Sequence, residues 1–217
     1  MTASLCLRPA CRYGFRFTLL SLPMLVAVVI GAGLSMGVLS AAEPDAKRVA
    51  LFDGKDLAAF DVIGCKAIVQ DGAILLESGN GLVQAKQRYG DFVLELDWKA
   101  LKPDAWDSGI YFRYNSVPKG RPWPERYQAN LRQGLEGNVD GLAGAESKGL
   151  TKPGEWNHLK LTVVGATAKM EINGKPAWKA SGLEEDNGFV SIQAEVPGGG
   201  QFLFRDVYIT PLKRAAK

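Results

Sequence analysis

Between Phe92 and Trp98 apolar and acidic residues alternate without a break. Phe92, Leu94, Leu96 and Trp98 fall on one face of an extended chain, Glu95 and Asp97 on the other, the signature of a half-buried strand. The same period recurs along the chain. Ile110 and Phe112 oppose Tyr111 and Arg113; Leu159, Leu161 and Val163 alternate with Lys160 and Thr162; Val190, Ile192 and Ala194 alternate with Ser191, Gln193 and Glu195. Ala168 to Ile172 continues the pattern into Asn173-Gly174, and Asp71-Gly72 separates Ile68-Val69 from Ala73–Leu76; both dipeptides predict tight hairpins. In the closing strand, Phe202 to Ile209, Phe204 and Val207 cannot share a face unless a bulge intervenes near Arg205-Asp206. Short alternating segments over about 170 residues, with no helical period, predict one all-β domain of two antiparallel sheets. Its core should contain Leu94, Leu96, Ile110, Phe112, Leu161 and Ile192.

Composition adds a division of the chain. Of 217 residues 47% are hydrophobic and 23% charged, with 26 Lys+Arg against 23 Asp+Glu. Residues 1–42 hold Arg8, Arg12 and Arg16 and no acid, so the remainder has 26 − 3 = 23 basic and 23 acidic residues and is neutral. A neutral body has no electrostatic attraction to nucleic acid or to an anionic membrane. Arg8–Arg16, the apolar run Leu19–Leu39, and the small residues Ser40 and Ala42 occur in the order of a secretory signal. Residues 1–42 are therefore expected to direct export to the periplasm or the exterior, with 43–217 as the single domain. A retained anchor at 19–39 is the competing reading, the run being long enough to span a bilayer; only then would a membrane be a partner. Past the leader Cys65 and His158 stand alone, which excludes an internal disulfide and a multi-histidine zinc site. No cofactor is predicted, and the sequence leaves a divalent metal open. The stretch Val117–Gly149, rich in Gly, Pro and polar residues and carrying Trp123 and Tyr127, reads as a long functional loop.

Several stretches, in order, resemble one family: Leu51–Leu57, Val69–Ile74, Tyr89–Leu94, Asp107–Arg113, Lys152–Asn157, Asn173-Gly174, Gly188–Gln193 and Phe204–Ile209. They are similar to the 3-keto-disaccharide hydrolase domain. The resemblance implies a concanavalin-like jelly-roll sandwich and cleavage, by hydrolysis or elimination, of glycosides oxidised at the sugar 3-position. The chain departs from the family at three places. Asp107-Ser108-Gly109 stands where Asn-Ser-Gly is common, Arg126-Tyr127-Gln128 where the family has Glu-x-Gln, and Glu195 near a frequent His.

Strand parity assembles a candidate site. With the apolar residues inward, Glu95, Asp97, Tyr111, Arg113, Gln193 and Glu195 share an outer polar face, joined by Gln128 and Asn130. Carboxylates, amides and a guanidinium bind hydroxyl and keto oxygens, and aromatic faces cover a pyranose ring. Arg113, Gln128, Gln193 and Glu195 are the expected catalytic residues. Glu95, Asp97, Trp106, Tyr111, Trp123 and Asn130 are the expected substrate-binding ones. Arg113 is expected to pair with Glu95, Asp97 or Glu195 in the empty site. Two functions fit a carbohydrate ligand: an exported enzyme cleaving 3-keto-glycosidic bonds, and a sugar-binding surface module without chemistry.

Overall fold

A computed structural model describes residues 47–213; the expected leader and anchor at 1–42 lie outside them. Eleven strands follow one another: β1 (Val49–Phe52), β2 (Phe60–Gln70), β3 (Ala73–Ala85), β4 (Phe92–Ala100), β5 (Gly109–Tyr114), β6 (Gln128–Asn130), β7 (Asn157–Val164), β8 (Thr167–Ile172), β9 (Lys175–Ser181), β10 (Phe189–Glu195) and β11 (Phe202–Pro211). A single helical turn, α1 (Val196–Gly199), joins the last two. All named pairings are antiparallel, in the order β6-β5-β10-β3-β11-β4-β7-β8-β9, with β1 on β11 and β2 on β3. This is a jelly-roll sandwich of the concanavalin-like type.

Strand β3 belongs to both layers. Its first part pairs with β11 (Ile74 with Phe204, Leu75 with Leu203), and its last part with β10 (Asn80 with Glu195 through Gln84 with Ser191). Between them, Glu77 to Asn80 leave the core. The β2–β3 ladder slips at Ile63/Cys65 and at Lys66/Ala67. Gly64 and Gly79 adopt positive φ there, and a Cβ on Gly81 would overlap the Ile63 carbonyl oxygen. Glycine permits this bend because no side chain obstructs the close backbone approach.

The two layers close on one core. Leu94 and Leu96 from β4 and Leu161 from β7 meet Ile110 and Phe112 from β5 and Ile192 from β10, all six buried. Each such side chain contributes about 1.5–3 kcal/mol by leaving water. Both expected hairpins form with two consecutive positive φ values, at Asp71-Gly72 and Asn173-Gly174, as a twist-matched two-residue turn requires. The expected bulge in β11 is present between Arg205 and Tyr208, with Asp206 at φ 51.

Candidate functional site

The outer face of the β6-β5-β10-β3 layer carries a row of amides. Gln128, opposite Tyr111, and Gln193, opposite Gly109, project from β6 and β10. Gln128 Nε2 donates to Gln193 Oε1, and Gln193 Nε2 donates to Glu195 Oε2 at 2.9 Å. Gly109 makes the row possible, because a Cβ there would overlap Gln128 Nε2 and Cγ. At one end the face is closed. Leu82, Tyr111 and Tyr114 form a second apolar cluster under Val117, Trp123 and Phe189, and Trp123 Nε1 donates to the Ala194 carbonyl at 3.1 Å.

At the other end the row opens into a cavity of about 390 Å³, lined by Trp106, Asp107, Arg132, Gln133, Glu195 and Gly199 among others. That volume lies within the range of small-ligand pockets, about 300–1,000 Å³. Arg132 Nε lies 3.8 Å from Asp107 Oδ2. Asn130 Oδ1 accepts from the Arg132 backbone N–H at 2.6 Å and so fixes the turn that presents the guanidinium. Burial pushes the Glu195 carboxyl above its ordinary value, the charge of Asp107 pushes it further, and Arg132 pulls it back. Asp107 is likewise raised by burial and lowered by Arg132. Tyr111 is pushed up to about 12 by burial, then by the charges of Glu195 and Asp107, so its phenol keeps its proton. A half-buried carboxyl beside a second one is the arrangement that acid–base chemistry uses. Among the described residues no group of three or more His, Cys, Asp or Glu is placed to hold a metal ion. A larger cavity, about 590 Å³, lies by Gln87–Asp91 and Pro211-Leu212. There Arg88 donates to Asn187 and Asn115, and Asp91 pairs with Arg113.

The structure thus brings together Tyr111, Gln128, Asn130, Gln193 and Glu195, with Trp123 on the same face. Three expected residues lie elsewhere. Arg113 is the extra residue of a bulge opposite Phe189/Val190, at φ 51, so it does not follow Tyr111 outward. Its side chain is buried against Asp91 instead of Glu95, Asp97 or Glu195. Glu95 and Asp97 do point outward, but from β4, in the opposite layer. There Glu95 meets Arg48 at 3.6 Å, and Asp97 binds His158 Nδ1 at 2.8 Å and Arg205 at 3.2 Å. Trp106, 2% exposed, is a core residue that also lines the cavity and so stays at the site as part of its wall. Two site residues escaped the alternation, Asp107 just before β5 and Arg132 just after β6. Only their closeness to the Ser108-Gly109 and Gln128–Asn130 stretches could have pointed to them.

Comparisons agree with the architecture. The chain is similar to a Parabacteroides distasonis protein designated a candidate glycosyl hydrolase, with 20% identity, 76% of this chain and 94% of that chain covered, and a TM-score of 0.61. It is also similar to the carbohydrate-binding module CBM66 from Bacillus subtilis, with 15% identity, 70% and 95% covered, and a TM-score of 0.56. At these identities the likeness is one of fold. No curated protein matches the sequence. The sequence model of the 3-keto-alpha-glucoside-1,2-lyase-like domain, however, matches residues 47–210. By that match, over nearly all of the described sandwich, the chain belongs to the 3-keto-alpha-glucoside-1,2-lyase-like domain family.

Proposed function

We propose that the protein cleaves glycosides whose sugar carries a 3-keto group, at the cavity that Glu195 and Asp107 line. The observation that carries this reading is the part-buried amide row ending on a half-buried carboxyl, with a guanidinium lining the same cavity. A ketone at C3 acidifies the hydrogen on C2. A carboxylate that removes it generates an enolate, and the substituent at C1 then departs with the bonding pair. Gln128 spends one N–H on Gln193 and retains another for the enolate oxygen, with Arg132 as a second donor. Family membership supports the substrate class, and the neutral charge of the body agrees with an uncharged sugar.

The test incubates the protein with a methyl 3-keto-glucoside and with its unoxidised parent, following release of the alcohol. Release from the ketone alone, reduced about 100-fold or more in Glu195→Gln, is the expected result. Saturable binding of either sugar without release would establish the sugar-binding module instead. Export with cleavage after Ala42 is proposed on the leader pattern of residues 1–42; secreted protein still beginning at Met1 would contradict the cleavage, and protein retained inside the cell would contradict the export.

A further inference from the structure

The two carboxyl groups of the cavity stand in unequal surroundings. Asp107 has a cation partner in Arg132, 3.8 Å from Oδ2, which favours the carboxylate. Glu195 receives only the neutral amide of Gln193 at 2.9 Å, and among the described residues no cation lies within ion-pair distance of it. Their relative position is built rather than incidental. The α1 turn begins directly after Glu195 and ends on Asp107, whose backbone N–H donates to the Gly199 carbonyl at 3.1 Å. Gly199 sits so close that a Cβ on it would overlap the Asp107 carbonyl oxygen. The Ser108 hydroxyl donates to the Gln193 carbonyl at 2.7 Å and ties the segment following Asp107 to the strand that carries Glu195.

Resting on the 3-keto-glycoside reading, we propose that Asp107 is the base that removes the C2 proton and Glu195 the acid that protonates the departing glycosidic oxygen. The C2–H electron pair becomes the C1=C2 double bond, the C1–O bond breaks, and the oxygen takes the Glu195 proton. The products are an alcohol and a 1,2-unsaturated 3-keto sugar, with Asp107 protonated and Glu195 ionised. Solvent exchange resets the pair, and no oxidant or reductant enters. The charge of Asp107 adds to the burial that holds the Glu195 carboxyl above its ordinary value.

The test compares a methyl with a 4-nitrophenyl 3-keto-glucoside on the full chain. Glu195→Gln is expected to lower kcat/KM about 100-fold or more for the methyl compound, which needs a proton to leave. For the 4-nitrophenyl compound, which does not, the expected loss is under about tenfold. Asp107→Asn should lower both about 100-fold and stop exchange of the C2 hydrogen with deuterated water. Equal losses on the two substrates in Glu195→Gln, or retained exchange in Asp107→Asn, overturn the assignment while leaving 3-keto cleavage intact. Cleavage of neither substrate by the unaltered protein overturns both. Carboxyl NMR titration of the unaltered protein is independent of whether the variants fold. Asp107 losing its proton at lower pH than Glu195 supports the pair, and the reverse order refutes it.

Discussion

Arg113 Nη2 lies 2.7 Å from Asp91 Oδ1, and the two side chains are 0% and 3% exposed. The other donors of the guanidinium are spent on the Gly90, Gly165 and Glu185 carbonyls, and Asp91 Oδ1 also accepts from the Gly165 N–H. The pair therefore pins the ends of β4, β5, β7 and β10 to one another. Removing either partner leaves an unpaired buried charge, so Asp91→Ala or Arg113→Ala should cost about 3–5 kcal/mol. Arg113→Lys should also destabilise, because an ammonium cannot reproduce the fork. Chemical unfolding measures this; unchanged stability in both alanine variants would contradict it.

Gly109→Ala should impair the site and spare the fold. The new methyl displaces Gln128 from Gln193, and misplaced polar groups cost about 10- to 100-fold in turnover. Because the obstructed atoms belong to a flexible side chain, stability should change by less than about 1 kcal/mol. Parallel kinetics and melting curves separate the two effects.

Ile110 and Ile192 face each other across β5 and β10 in the core. Truncating either to Ala should cost about 2–5 kcal/mol. Equilibrium urea unfolding would show it as a lowered midpoint with an unchanged slope.

Glu195 gives the site a signed pH dependence. Its folded-state pKa is raised, mainly by burial, so the folded state binds more protons than the unfolded state between the ordinary glutamate value and the raised one. Stability therefore falls as pH climbs through that window. Glu195→Gln should raise the Tm at neutral pH, with the difference vanishing below the ordinary carboxyl range. Melting at several pH values checks the sign.

Trp123 covers the cluster that contains Tyr111. In Trp123→Ala the Tyr111 pKa should drop from about 12 toward the ordinary phenol value, since burial is its largest cause. Ultraviolet titration of phenolate would follow it.

Parity was legible wherever a strand is regular. Glu95, Asp97, Tyr111 and Gln193 all point outward, as alternation requires, yet period two carries no information on which layer a strand joins. Sheet order depends on pairings between distant segments, and this separates Glu95 and Asp97 from the rest. The two bulges show the same limit locally. At Asp206 the slip is visible because apolar Phe204 and Val207 demand one face. At Arg113 the next residue is Tyr114, which suits either face, so nothing in the composition reveals the extra residue. Asp107 and Arg132 sit outside strands, where no period applies.

The shared strand β3 also governs the order in which the molecule can be completed. Strands β10 and β11, late in the chain, occupy central places on either side of β3, more than a hundred residues away in sequence. Loop-closure entropy for such contacts must be met before they are rewarded, which makes assembly slow. While residues up to Gly188 are emerging, neither layer has its middle strand, and the edges of β3, β4 and β5 that will meet β10 and β11 wait unpaired. The hairpins made earlier can pair as they emerge, but the sandwich can close only once Pro211 has been synthesised.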